Sequence, residues 1–226
     1  EALNWTDKVV PDSNKVVFNV PGAMECVMDV EGYIKQLVMG DNGAGETLRL
    51  ADGANLTISG DVWSAVSWNN PATLVVESGA EVSFGQHMWI GFEPGSDGNV
   101  ILDGGTINVA KMFGINFEGK GGQGLVYVKD GTLNLSELHP TQSLNGDSAY
   151  IDIKKGVINI IGDHVTAIND YIAAGKITAY GGAGDILVEL VGENTVVSAA
   201  GPPPDITDLE SFYFRGSNDE FPWEGA

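Results

Sequence analysis

The chain has one cysteine in 226 residues, three histidines, and only eleven basic residues against thirty-one acidic ones. A single thiol excludes an internal disulfide framework, and Cys26, set among Met24, Val27 and Met28, reads as a small buried hydrophobe. The scarcity of Lys and Arg leaves a formal charge of −20, which repels phosphate backbones and anionic bilayer surfaces within a Debye length. Nucleic acid and membrane surfaces are therefore not expected as partners. Sulfated and uronate polysaccharides are disfavoured for the same reason unless a cation such as Ca²⁺ bridges them, whereas a neutral glycan meets no such barrier. No apolar run approaches the roughly 18 residues that a spanning helix needs. His139 and His164 have no companions at metal-ligand spacing, and no nucleophile elbow, phosphate loop, zinc spacing or basic aromatic nucleic-acid motif occurs. No signal peptide is recognisable at Glu1, so targeting signals say nothing of the compartment, and a mature fragment of a longer protein is the expectation.

Hydrophobic residues make up 43% of the chain, enough for a sizeable core, and glycine is abundant at 31. Their arrangement is repetitive. The segments LRLADGANLTI (48–58), LVVESGAEVSF (74–84), VILDGGTINV (100–109), VYVKDGTLNL (126–135) and IDIKKGVINI (151–160) share one plan: a short apolar alternation, a Gly-containing bend and a second alternation. Leu50, Val76, Leu102, Val128 and Ile153 recur at spacings of 26, 26, 26 and 25, and Leu56, Val82, Ile107, Leu133 and Ile158 at 26, 25, 26 and 25. A third alternating stretch follows in three coils, at VWSAV (62–66), HMWIGF (87–92) and MFGINF (112–117). Three short strands per turn with Gly, Asn and Asp bends predict a right-handed parallel β-helix of about 25 to 26 residues per coil.

A strand of three to five residues cannot bury its apolar face alone, but stacked on its counterpart one coil away, roughly 4.8 Å along the axis, it becomes part of a continuous sheet around a dry interior. Gly53, Gly79, Gly104, Gly131 and Gly156 fall at the bend between the first and second strands, where positive φ or a tight corner favours glycine. Before the repeat, 16–20, 26–30 and 34–40 read as an opening coil. After it, 164–174 reads as a capping helix with Asp163 as N-cap and Gly175 past its end, and 177–180 and 186–191 as a last irregular coil. The β-helix domain is placed at 1–200. Residues 201–226 read as a Pro-containing linker and an acidic segment carrying Phe212, Tyr213, Phe214, Phe221 and Trp223.

Residues between the inward rows form outward columns. On the second strand the column is Thr57, Ser83, Asn108, Asn134, Asn159, whose three Asn are placed to hydrogen-bond to one another, a pattern that also serves plain structural stacking. On the first strand Val75, Ile101 and Tyr127 are apolar, and the C-terminal aromatic segment or a second copy of the chain is expected to cover them.

On the third strand, inward Met88, Ile90, Phe92, Phe113, Ile115 and Phe117 leave Asp61, Trp63, His87, Trp89, Glu93, Met112, Asn116 and Glu118 outward, with Trp63 and Trp89 stacked and the small Ala65, Gly91 and Gly114 beside them. An uncovered indole rimmed by His87, Asp61, Asn116 and carboxylates suits a sugar ring, with Lys111 and Lys120 nearby. Packing of the same indoles under a loop is the competing reading. Glu93 and Glu118, one coil apart, admit three readings: a solvated edge, a Ca²⁺ site with Asp97, or an acid/base pair.

NWTDKVVPDSNKVVF (4–18), the Gly-punctuated repeats and GDHVTAINDYIAAGKITAYGGAGDILVEL (162–190) together resemble the β-helical modules of secreted multidomain proteins from marine polysaccharide-degrading bacteria, over about residues 5 to 200. The resemblance implies an extracellular carbohydrate context and, in a longer chain, a flanking catalytic module. Three functions follow as expectations. The first is a noncatalytic carbohydrate-binding module, with Trp63 and Trp89 as platforms, needing no cofactor unless it is Ca²⁺. The second is a glycoside hydrolase or polysaccharide lyase using Glu93 and Glu118 with His87 or Lys120. The third is a structural or adhesin spacer.

Overall fold

The computed structural model describes residues 15–17, 24–42, 45–60, 64–138 and 143–201. They form a right-handed parallel β-helix of about six coils, roughly 25 residues each. After β1 (Lys15–Val17) come the coils β2 (Glu25–Met28), β3 (Glu31–Ile34), β4 (Gln36–Val38); β5 (Glu46–Leu50), β6 (Asn55–Ile58), β7 (Ser64–Val66); and β8 (Ala72–Glu77), β9 (Glu81–Phe84), β10 (Met88–Ile90). The next two coils are the long strands β11 (Asp97–Ile115) and β12 (Gln123–Glu137), and the sixth contains β13 (Ala149–Ile153) and β14 (Val157–Ile161). Strands β1 and β4 pair in register, so β1 lies beneath the third strand of the first full coil and not in the same coil as β4, where the reading of 16–20, 26–30 and 34–40 as one opening coil places it.

Both inward rows form as the spacing predicts. Leu50, Val76, Leu102, Val128 and Ile153 are successive partners in the first-strand sheet, and Leu56, Val82, Ile107, Leu133 and Ile158 in the second. All ten are buried, because strand alternation turns each toward the axis and each covers the residue one coil below. In β11 and β12 the ladder continues through the bends that were expected to separate short strands, with register irregularities at Leu102/Asp103, Asp103/Thr106 and Val109/Met112. Bulges let neighbouring bends of equal length keep pairing while the chain turns. Gly53, Gly79, Gly104 and Gly131 have positive φ, whereas Gly156 is required by crowding, since a Cβ there would press on Val128 and the Gly131 carbonyl oxygen.

Outside the first strand, Val75 is buried and Ile101 and Tyr127 half-buried. Arg49, the partner of Val75, spans three coils through Glu25 at 2.6 Å and Glu77 at 2.8 Å, and the Lys154 ammonium lies 5.2 Å from the Tyr127 ring centroid. Long side chains on adjacent coils thus give part of the cover this strip needs. The C-terminal aromatic segment lies outside the described residues.

The far end closes with α1 (Val165–Ala173), whose Ile168 is buried in the main core with Tyr171 and Ile172 packed against it. His164 occupies the N-cap position, yet the expected Asp163 accepts the Val165 amide through Oδ1 at 3.2 Å. Gly175 follows the helix with φ 69°. The sequence 177–180 gives β15 (Ile177–Ala179), which extends the parallel stack on β13. Beyond it the expected irregular coil is instead an antiparallel hairpin, β16 (Asp185–Val191) and β17 (Asn194–Ala200), with β17 antiparallel to β14. The physical cause is the two-residue connection Gly192–Glu193, with Gly192 at φ 64°, which reverses the chain instead of carrying it round another coil.

Leu102, fully buried at the middle of the first inward row, tests this core. Leu102→Ala is expected to lower stability by about 2–5 kcal/mol, measured by chemical denaturation, and a loss below about 1 kcal/mol would contradict a close-packed interior.

Candidate functional site

The third-strand face is built from a backbone device that alternation does not reveal. Gly40, Ser67, Gly91 and Asn116 all have left-handed φ, at 64°, 70°, 66° and 57°, and occupy one corner in successive coils. After an inward residue such as Ile90 or Ile115, a left-handed residue rotates the chain so that the next side chain also points away from the axis. Phe92 and Phe117, expected inward, therefore stand outside the main core. Trp68, Phe92 and Phe117 form a stacked column, with centroids 4.2 Å apart for the first pair and 4.6 Å for the second. Lys120 sits over it, its ammonium 4.7 Å from the Phe117 ring centroid, 5.3 Å from that of Phe92 and 3.4 Å from a Glu93 carboxylate oxygen.

Trp89 does point outward, between Ala65 and Gly114 on the adjacent strands. Those small neighbours make room for Phe rings and not for a ligand: Phe117 meets the indole edge-on at 4.6 Å and Phe92 at 6.2 Å, leaving Trp89 1% exposed. It is not the open platform that the alternation suggested. The partner of Trp89 on the preceding coil is Ala65; Trp63 and Asp61, and with them the expected stacking of Trp63 on Trp89, lie outside the described residues.

The remaining expected rim residues are dispersed. Asn116 is 3% exposed and works within the fold, its Nδ2 donating to the Asn145 carbonyl at 3.2 Å and its Oδ1 accepting the Gly121 amide at 3.1 Å. It is therefore not a rim contact. Glu118 is exposed at φ 52°, Lys111 is exposed, and Glu93 is engaged by Lys120. His87 stacks on Trp89 at 5.9 Å. Its pKa is lowered from the ordinary 6.5, first by burial, with Glu137 opposing and Lys111 reinforcing the shift. Asp97 is exposed at the start of β11, and among the described residues no three His, Cys, Asp or Glu side chains converge to hold a metal ion.

A groove of about 710 Å³ lies instead along the second-strand sheet, running parallel to the axis past five coils. One wall is the outward column Thr57, Ser83, Asn108, Asn134, Asn159, whose members from Ser83 onward are joined by hydrogen bonds. Asn159 Nδ2 donates to Asn134 Oδ1 at 3.0 Å, Asn134 Nδ2 to Asn108 Oδ1 at 2.8 Å, and Asn108 Nδ2 to Glu81 Oε1 at 2.8 Å and Ser83 Oγ at 3.1 Å. A carboxylate acceptor at one end fixes the direction of the whole chain and polarises it. The Asn–Asn bonds anticipated from the column are present. The floor is made by the small residues Gly85, Ala110 and Ser136 at the next outward position, and the hairpin closes the far end with Val191, Asn194 and Val196. None of the lining residues is charged, although the chain carries −20.

Each Asn amide has two N–H donors and an oxygen with two lone pairs, and the ladder occupies one N–H of Asn134 and of Asn159. Asn134 and Asn159, one coil apart, thus each keep one N–H, whereas Asn108 donates to both Glu81 and Ser83. The polar column was visible in the sequence. Its concavity was not, since that depends on the small residues at the corner and on the hairpin folding back beside β14.

Trp89→Ala is expected to cost about 3–5 kcal/mol of stability, as removal of a packed aromatic does; chemical denaturation with a change below about 1 kcal/mol would show that the outer cluster is not packed. For His87, a folded-state pKa below the unfolded value means a contribution to stability that is present above pH 6.5 and lost as pH falls through the folded value. His87→Gln should therefore lose less melting temperature between pH 7 and 5 than the parent chain, and parallel curves would refute the assignment. Comparison with protein-family models, with curated proteins and with solved structures returns no match.

Proposed function

We propose that the chain is a noncatalytic carbohydrate-binding module of an extracellular protein, and that a neutral polysaccharide lies in the second-strand groove along the solenoid axis. The observation that carries this reading is an uncharged groove walled by an oriented row of carboxamides and hydroxyls on an otherwise strongly acidic chain. Sugar hydroxyls both donate and accept, as does each free amide edge. Rows one coil apart, roughly 4.8 Å, come close to the length of one hexose unit in an extended chain. A charged ligand of either sign gains no partner in the lining, and an anionic one also meets the field of the whole chain.

Affinity should be modest and distributed. A micromolar complex corresponds to about −8 kcal/mol, whereas a hydrogen bond contributes a net 0.5–1.5 kcal/mol, roughly. Several coils must act together, which suits a long polymer better than a monosaccharide. A glycan-cleaving role for Glu93 and Glu118 draws less support, because Lys120 already engages Glu93 and neither carboxylate lines the groove.

Ala110 is exposed on the groove floor, away from the ladder. Ala110→Trp should fill the groove, leave the melting temperature within a few degrees of the parent, and abolish retention in affinity gels cast with the neutral polysaccharides that slow the parent. Undiminished retention of the blocked variant, or no retention of the parent by any neutral polysaccharide, would sink the proposal.

A further inference from the structure

Apolar surface makes up most of the exposed lining of the groove. Toward the hairpin the Asn column passes from Asn159 to Val196, its register partner on β17, and the adjoining column passes through Ile161 and Asn194 to Val191. Ile161 is 60% exposed and Val191 56% exposed, and both line the groove. Two wet branched side chains beside the ends of two carboxamide side chains, Asn159 and Asn194, leave apolar surface that hydroxyl groups alone do not use.

Resting on the glycan-binding reading, we infer that this end of the groove selects N-acetylated hexosaminide units. An acetamido group supplies one N–H and one carbonyl oxygen, which match the donor and acceptor edges of a carboxamide, and a methyl group, which matches Ile161 and Val191. It is also uncharged, as the lining is. An unsubstituted glucan offers the hydroxyls but not the methyl. A deacetylated, cationic chain would be attracted by the net charge of −20 without fitting the groove, and that attraction would be screened by salt.

The test compares β-1,4-linked oligomers of N-acetylglucosamine and of glucose, equal in length and backbone and different at C2, by titration calorimetry on the full chain at low and high salt. The acetylated oligomer should bind about tenfold or more tightly than the glucose oligomer, the selectivity expected for one apolar group in a fitting pocket, with little change on adding salt. In the double variant Ile161→Ser, Val191→Ser the preference should fall to within about threefold. Both side chains are well exposed, and an unchanged melting temperature verifies that the variant is folded. Equal affinities in the parent, or a preference that survives the double substitution, would overturn the inference while leaving glycan binding in place. If neither these oligomers nor any other neutral polysaccharide is bound, the glycan-binding reading itself fails and the inference with it.

Discussion

Coil-on-coil pairing is the interaction on which every other feature depends. No coil holds a core alone: inward residues are buried by their counterparts one coil above and below, and the amides of the parallel strands find their partners in the adjacent coils. A residue at Leu102 is thus defined by Val76 and Val128 and not by its neighbours in sequence. The same pairing sets the outer surface, because columns of side chains at coil spacing must be mutually compatible. Three Asn in one column become a hydrogen-bonded ladder, and three aromatics in another become a stack.

The two outer columns use this constraint in opposite ways. On the third strand, left-handed corners at Ser67, Gly91 and Asn116 turn the following aromatic residue outward, so that a second small core forms beside the main one and covers Trp89. That face is occupied by its own side chains. On the second strand the positions beyond the Asn column are Gly85, Ala110 and Ser136, too small to fill the corner, and the face stays open. The antiparallel hairpin then ends the groove instead of letting it run off the solenoid.

Electrostatics separate the groove from the rest of the surface. Charged residues elsewhere are partly paired between coils, as with Arg49 and its two glutamates or Lys129 and Asp103 at 2.7 Å. Such exposed pairs add little stability individually, but they help adjacent coils of like sign to stack. Glu81 anchors the ladder from one side while the lining itself remains neutral.

Much of the fold was legible in the sequence, because coil length, inward alternation and bend glycines are periodic and local. The rows through Leu102 and Ile107, the helix near Ile168 and the Asn column are all properties of spacing. What the sequence could not decide was exposure. Whether Trp89 meets solvent depends on Phe92 and Phe117, which reach it only because left-handed residues break the alternation; whether the Asn column lines a groove depends on a reversal at Gly192. By itself the sequence determined which residues share a column and which columns face the axis, since pairing repeats a fixed period. Only the tertiary structure decided which outer column is covered and which is open, since cover comes from corners and chain ends, where the period fails.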